Sequence, residues 1–222
     1  MIYGLNPNSL VDYPGELSFV IFLGGCNFRC PYCHNKDIVN KTNDVYEEED
    51  VLEELKKRFG FIKTVTITGG EPTIYGDKLV DLIASIKDLG YLVKLDTNGT
   101  NPNVIKTLID KKLIDYIAMD IKNTFDQYES TVGVPVNIDN IKESIRLIEA
   151  SNINYEFRTT INKEMHSEEA ILEITSYVSN NSKLVLQPYR YNSEQLVNIP
   201  YTPYDEEELM EFKKNYNVSV RI

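Results

Sequence analysis

The chain has 222 residues, which is enough for one domain with its own core and no need for stabilising disulfides. Hydrophobic residues make up 42% and charged residues 26% of the chain, a balance that excludes a disordered or fibrous protein. Lys and Arg number 23 against 34 Asp and Glu, and the resulting net charge of −11 argues against a nucleic-acid partner and against adhesion to an anionic membrane.

Six short runs rich in β-branched and aromatic residues predict β-strands. In chain order they are Ser18–Leu23, Thr64–Thr68, Leu92–Asp96, Tyr116–Asp120, Tyr155–Thr160 and Lys183–Gln187. Several are nearly continuous apolar runs, which is typical of parallel strands covered on both faces.

Amphipathic segments between and after these runs predict helices. They are Glu47–Arg58, Lys78–Leu89, Asn103–Lys111, Ile138–Ala150, Ser167–Val178 and Asp205–Asn215. Ser167 is the expected N-cap of its helix, and Val218–Ile222 predicts a short terminal strand. No linker divides the chain, so we expect a single domain over residues 1–222, with a core over ~16–190 and a C-terminal appendage over ~191–222.

The apolar runs are too short to span a membrane, which needs about 20 apolar residues. The longest mostly apolar run is Leu17–Leu23, and Asp12 and Glu16 interrupt the stretch before it, where a signal peptide would have its hydrophobic region. We therefore expect a cytoplasmic protein without a membrane partner.

Strands that alternate with helices indicate a parallel α/β fold, either a doubly wound sheet or a partial barrel. Each predicted strand is followed at once by a glycine-containing or polar cluster. These clusters are Gly24–Cys26, Gly69–Pro72, Asp96–Gly99, Asp120–Lys122, Arg158–Thr160 and Gln187–Arg190. In a barrel they would meet at one rim, whereas in an open sheet the outer clusters would lie far from the binding crevice. We therefore favour a partial, TIM-like (β/α)6 barrel of parallel strands, with a short C-terminal helix and strand appended.

The cysteines of the chain are Cys26, Cys30 and Cys33, spaced Cys-x3-Cys-x2-Cys. An odd number of closely spaced thiols cannot form a complete disulfide framework, and clustered thiols in a cytosolic protein are more often metal ligands. Three thiolates on a [4Fe–4S] cluster, which usually takes four, would leave one iron open for a substrate or cofactor. The alternative that the spacing leaves open is a structural zinc site with His34 as the fourth ligand.

The cysteine spacing, with Tyr32 before the last cysteine and Gly69–Pro72 one strand later, resembles the radical S-adenosylmethionine (SAM) superfamily. Within that superfamily, the sequence is most similar to the activating enzymes of glycyl-radical enzymes. The further residues that carry this similarity are Ser9, Asp12, Pro14, Gly15, Tyr32–Asn35, Asp96–Gly99 and Asp120–Lys122. Within this group the compact chain most resembles the activating proteins of anaerobic ribonucleoside-triphosphate reductases, and pyruvate formate-lyase activation is the nearest alternative.

The resemblance implies a [4Fe–4S] cluster and SAM as cofactors, with Cys26, Cys30 and Cys33 as cluster ligands at the catalytic centre. The implied SAM-binding residues are Tyr32, Gly69, Gly70, Glu71, Asp96, Thr97, Asp120, Lys122, Arg158 and Gln187. The glycines and Glu71 would receive the amino group of SAM, Lys122 its carboxylate, and Arg158 a carboxylate or the ribose.

The resemblance implies two further features of the SAM site. Asp96 and Thr97 would help Asp120 to hold a monovalent cation. Arg190 stands where related activating enzymes have a histidine that contacts the ribose, so Gln187 is the expected substitute.

The implied reaction is reductive cleavage of SAM followed by generation of a glycyl radical on a partner enzyme, with ferredoxin or flavodoxin as the reductant. Two alternatives stay open at this point, a radical SAM enzyme that acts on a small molecule and a non-enzymatic zinc-binding module. His166, in a polar stretch before a predicted helix, is expected on the surface.

Overall fold

In the computed structural model, which describes residues 1–221, one β-sheet organises the whole chain. Its strands within these residues are β1 (Ile2–Tyr13), β2 (Glu16–Leu23), β3 (Thr64–Gly69), β4 (Leu92–Thr97), β5 (Tyr116–Asp120), β6 (Asn154–Ile161), β7 (Leu184–Pro188) and β8 (Ser219–Val220). They pair in chain order, β1 antiparallel to β2 and all later neighbours parallel. The six predicted strands are β2 to β7, so the expected parallel α/β fold is confirmed.

Helices connect the parallel strands, as the alternating pattern predicts. They are α1 (Lys36–Asn40), α2 (Glu48–Arg58), α3 (Asp77–Asp88), α4 (Pro102–Asp110), α5 (Tyr128–Val132), α6 (Ile138–Glu149), α7 (Glu168–Thr175) and α8 (Glu206–Asn215). The Ser167 hydroxyl accepts the Ala170 N–H over 3.3 Å, which confirms the predicted N-cap of α7. None of the helices described in residues 1–221 has the length and apolar character that crossing a membrane requires.

The two faces of the parallel strands differ chemically, because successive side chains of a strand point to opposite sides. On β4, Val93 and Leu95 belong to the main buried core, whereas Lys94 and Asp96 lie on the inner face of the sheet. Other polar side chains of the inner face are Ser18, Thr66, Thr68, Asp120, Glu156 and Arg158. The strands are covered on both faces, as expected, but the inner face carries polar groups that pair with each other.

β1 was not predicted, because its sequence lacks a regular alternation and its register with β2 shifts at three places. Its last residue, Tyr13, packs against Tyr116 with ring centroids 6.0 Å apart, and both contact Ala118 in a small buried cluster. Tyr116, Ala118 and Asp120 share the inner face of β5, so the end of β1 covers that face beneath Asp120.

The segment after β7 returns to the loop that carries the cysteines. The Leu196 N–H donates to the Cys33 carbonyl and the Val197 N–H to the Pro31 carbonyl, each over 2.9 Å. The chain then forms α8 and β8, of which β8 is shorter than the predicted strand Val218–Ile222; Ile222 lies outside the described residues.

Candidate active site

The carboxyl ends of the parallel strands surround one cavity of about 560 Å³. The predicted site residues that line it are Cys26, Cys30, Tyr32, Cys33, Gly69, Gly70, Asp96, Thr97, Asp120, Lys122, Arg158 and Gln187. They come from the loops or ends of six different strands, so the clusters meet at one rim as a partial barrel requires. Glu71 is the predicted residue that does not line this cavity.

The cysteines lie on the loop between β2 and α1, and all three thiols are free. The Cys26 sulfur accepts the Phe28 N–H over 3.3 Å, and the Cys33 N–H donates to the Cys30 carbonyl over 3.1 Å. Burial raises the pKa of the Cys26 thiol to about 12 and that of Cys30 to about 11. Without a cation at this place both thiols are protonated, so metal loading must displace their protons.

A single metal ion does not fit these side chains. Among residues 1–221, no three His, Cys, Asp or Glu side chains are arranged to hold one ion. The geometry therefore argues against the Cys3His zinc site. Three free thiols that line one cavity have the donor chemistry of a [4Fe–4S] cluster, which cysteine thiolates hold.

The glycines after β3 are required by the close approach of the cysteine loop. A Cβ atom on Gly70 would lie 1.9 Å from the Gly25 carbonyl oxygen, and one on Gly69 would lie 2.3 Å from the Leu23 carbonyl oxygen. Gly69 also has φ of +123°, a conformation that side chains rarely adopt. The Glu71 N–H donates to the Gly25 carbonyl over 2.9 Å. These contacts fix the glycine loop against the cysteine loop.

The Glu71 carboxylate is buried between the ends of β3 and β4. It accepts the Thr73 N–H over 3.0 Å, the Thr97 hydroxyl over 2.8 Å and the Asn98 N–H over 2.6 Å. Burial raises the pKa of Glu71, and these donors oppose that shift. In this structure Glu71 holds the two strand ends together, and its contact with the amino group of SAM stays a prediction.

A network of ion pairs crosses the inner face from β4 to β6. Arg158 Nε lies 2.8 Å from Asp120 Oδ1, and Arg158 Nη1 lies 3.3 Å from Asp96 Oδ2. Lys122 Nζ lies 2.9 Å from Asp120 Oδ2, and Lys94 Nζ pairs with Asp96 Oδ1. Burial would raise the pKa values of both carboxyl groups, but the neighbouring cations outweigh it and hold both below their ordinary values. These three cations exceed the two carboxylates by one positive charge, and the adjoining Glu156 is paired with Lys183 and Arg221, so net positive charge remains for an anionic ligand.

His166 corrects the sequence analysis, since it is fully buried rather than on the surface. Its Nε2 lies 2.8 Å from the Lys122 carbonyl oxygen, and its Nδ1 lies 3.4 Å from the Asn162 nitrogen. Desolvation lowers the pKa of the imidazole. His166 thus supports the backbone of Lys122 from behind the cavity.

Sequence reasoning also missed Lys94 and the segment that contains Gln195 and Leu196. Lys94 carried a usable signal, because it is a charged residue within an apolar strand and two positions before Asp96, hence on the same face. Leu196 lines the cavity, and Gln195 is buried, but the irregular segment around them has no periodic pattern.

Comparison with known proteins agrees with this site. Residues 20–174 match the model of the Radical SAM superfamily. A protein of Methanocaldococcus jannaschii, provisionally named a glycyl-radical enzyme activating enzyme, is 36% identical over 218 residues, which cover 96% of this chain and 85% of the relative. The pyruvate formate-lyase-activating enzyme of Clostridium pasteurianum is 26% identical over 227 residues, covering 96% and 93%.

The chain is therefore a radical SAM protein. It belongs to the family of the glycyl-radical enzyme activating enzymes, and the cofactors of the superfamily, a [4Fe–4S] cluster and SAM, are those expected from the cysteine motif.

Solved structures show the same fold at low sequence identity. Streptococcus suis SuiB bound to its precursor peptide SuiA superposes with a TM-score of 0.72 at 16% identity, over 95% of this chain and 49% of that one. This chain thus spans about half the length of SuiB. Native anSMEcpe with bound AdoMet superposes with a TM-score of 0.62 at 14% identity, over 90% of this chain and 62% of that one.

Proposed function

We propose that this protein generates a glycyl radical on a partner enzyme. The observation that carries the proposal is the convergence of three free thiols, a glycine loop and a net cationic ion-pair network on one cavity. The similarity over 96% of this chain to a protein provisionally named a glycyl-radical enzyme activating enzyme supports it. Bound at these residues and supplied with one electron by an external reductant, the cluster and SAM would provide the radical chemistry that removes a hydrogen atom from the α-carbon of a partner's glycine.

The residues of this chain bind and orient the cofactors in the proposal. Cys26, Cys30 and Cys33 hold the cluster. The net positive charge at Lys122 and Arg158 receives the carboxylate of the methionine part of SAM, because an anion in a poorly hydrated cavity needs paired cations.

Three further residues frame the proposed SAM site. The buried Tyr32 hydroxyl has no hydrogen-bond partner among residues 1–221, which leaves it free for a ligand atom. Gly69 and Gly70 allow a ligand to approach the backbone closely. Gln187 lines the cavity and is the proposed ribose contact.

For the partner we propose an enzyme of the pyruvate formate-lyase type. The curated relatives with a stated partner, from Clostridium pasteurianum and Streptococcus mutans, are pyruvate formate-lyase-activating enzymes. The compact chain with a single three-cysteine motif is the feature that favours an anaerobic ribonucleoside-triphosphate reductase as the second candidate. Ferredoxin or flavodoxin is the proposed reductant in either case.

The test begins with anaerobically prepared protein, its iron and sulfide content, and the electron paramagnetic resonance (EPR) spectrum of the reduced cluster with and without SAM. We expect about four irons per chain and a spectrum that SAM changes. The protein is then incubated with SAM, a reductant and each candidate partner, and the glycyl radical is counted by EPR.

The matched control is Cys30→Ala, which keeps the rest of the cavity and removes one cluster ligand. A radical on one partner with the native protein and none with the variant supports the proposal. Bound zinc, a spectrum that ignores SAM, or SAM cleavage stimulated by a metabolite rather than by either protein contradicts it.

A further inference from the structure

Lys94 is a buried lysine on the inner face of the barrel, with 3% of its side chain exposed. Its ammonium pairs with Asp96 Oδ1, two residues further along β4. Taking an ammonium group out of water is costly unless a charge partner compensates it. The ion pair with Asp96 therefore stabilises the charged Lys94 side chain in its buried position.

Each oxygen of the two carboxylates next to Lys94 already pairs with a cation of the chain. Asp96 Oδ1 pairs with Lys94 and Asp96 Oδ2 with Arg158, while Asp120 Oδ1 pairs with Arg158 and Asp120 Oδ2 with Lys122.

The remaining member of the expected cation site is also engaged. The Thr97 hydroxyl donates to Glu71 Oε1 over 2.8 Å and accepts the Gly99 N–H over 3.1 Å. The residues expected to hold a monovalent cation do not fit one in this chain.

The charge balance leads to the same result. Lys94, Lys122 and Arg158 exceed Asp96 and Asp120 by one positive charge. Before SAM binds, a sodium or potassium ion would raise the excess to two charges within a few ångströms, and in a poorly hydrated cavity this repulsion is much larger than in water.

We propose that Lys94 is a positioning residue that supplies from within the chain the charge of a monovalent cation, so that SAM binding is independent of sodium and potassium. This inference rests on the SAM site of the proposed function. Lys94 holds Asp96 in place, Asp96 holds Arg158, and Asp120 holds Arg158 and Lys122 where the two cations receive the carboxylate of SAM.

The experiment uses the native protein, Lys94→Met, and Lys87→Met as the matched control. Lys87 forms a comparable ion pair with Asp115, 2.7 Å long, but it lies on α3 outside the cavity. Two quantities are measured at constant ionic strength in choline, sodium and potassium chloride. They are the SAM dissociation constant of the cluster-loaded protein and the saturable binding of thallium(I), a potassium analogue, to the same cluster-loaded protein by NMR, since loading occupies the thiols that would otherwise bind thallium.

We expect native SAM affinity to agree within about twofold in all three salts, with no saturable thallium site. In choline chloride Lys94→Met should bind SAM about tenfold more weakly, with recovery in potassium or sodium chloride and a new thallium site, because it leaves Asp96 Oδ1 unpaired. Lys87→Met should behave as the native protein.

Native protein that binds thallium saturably, or that binds SAM tenfold more tightly in potassium than in choline, overturns the inference. A Lys94→Met variant that matches the native protein in both measurements, or that loses SAM affinity equally in every salt, also overturns it. Failure of the native protein to bind SAM in any salt contradicts the proposed function instead, and the thallium measurement still decides the role of Lys94.

Discussion

The Leu196 N–H donates to the Cys33 carbonyl oxygen over 2.9 Å, so a segment far along the chain holds the loop of the three cysteines. Gln195 fixes this segment from within. Its Oε1 accepts the Tyr189 hydroxyl over 2.7 Å, and its Nε2 donates to the Val197 and Ile199 carbonyls over 2.9 and 2.6 Å. The residues after β7 therefore help to form the cavity beside the cysteine loop and are not only an appendage.

Substitution of Gln195 tests this relationship. In Gln195→Leu the buried Tyr189 hydroxyl loses its acceptor, which should lower the free energy of unfolding by about 1–3 kcal/mol. The cysteine loop should also release the cluster faster when an iron chelator is added, followed by visible absorbance. Glu194→Gln, at an exposed neighbour, is the control, and equal cluster lifetimes in both variants would contradict the role of the segment.

Glu71→Gln separates the two roles considered for Glu71. The Glu71 carboxylate accepts hydrogen bonds from Thr73, Thr97 and Asn98 through both of its oxygens, whereas an amide has only one accepting oxygen. We therefore expect the free energy of unfolding, measured with urea, to fall by about 1–3 kcal/mol. SAM affinity should fall while the iron content stays unchanged. Glu129→Gln, which alters an exposed acceptor of a backbone N–H, is the control. Unchanged SAM affinity with the same loss of stability would show that Glu71 acts on the fold alone.

The buried His166 predicts a pH dependence of stability. Its pKa is lower in the folded protein than the unfolded value of about 6.5, since burial disfavours the imidazolium. The unfolded chain therefore binds more protons below this pH, and the stability contributed by the neutral ring is lost as the pH falls from about 6.5 towards the folded pKa. The difference in unfolding free energy between the native protein and His166→Gln should shrink from pH 7 to pH 5. A difference that is constant over this range would contradict the prediction.

The raised thiol pKa values predict slow alkylation of the cluster-free protein. With a pKa of about 12 against a reference of 9.0, Cys26 has about a thousandfold less thiolate at pH 8 than an unperturbed cysteine. Iodoacetamide labelling, followed by mass spectrometry of the Cys26 peptide, should therefore be at least a hundredfold slower than in the urea-unfolded protein. Labelling of Cys26 at the unfolded rate would mean that this thiol is not desolvated.

Leu10 tests where the protein partner docks under the proposed function. Leu10 and Val11 are 80% and 83% exposed near the end of β1, and Val11 lines the cavity, so a glycine loop that enters the cavity passes this pair. We expect Leu10→Asp to reduce the yield of glycyl radical about tenfold, because the charge must be desolvated on docking. SAM cleavage without partner should be unchanged. Phe61→Asp, at a 77% exposed site before the amino end of β3, is the control, and an equal loss there would contradict docking at β1.

The sequence by itself determined the chemistry and the class of fold. The spacing of Cys26, Cys30 and Cys33 predicts a metal site, either a cluster with an open iron or zinc, and the resemblance to the radical SAM superfamily favours the cluster. The polar groups after each strand run predict a common rim. Both predictions follow from local rules. Thiols close in sequence lie on one loop, and the carboxyl ends of parallel strands lie at one end of the barrel.

Only the tertiary structure decided which groups pair with which. The alternation of a strand places Lys94 and Asp96 on one face, but it does not show that Arg158, more than sixty residues later, takes the other oxygen of Asp96. Burial of His166 and the contact of Leu196 with Cys33 likewise depend on segments distant in sequence. Such contacts form only when the sheet curves around its inner face. The periodicity of one segment does not show which residue of a distant segment will lie next to it.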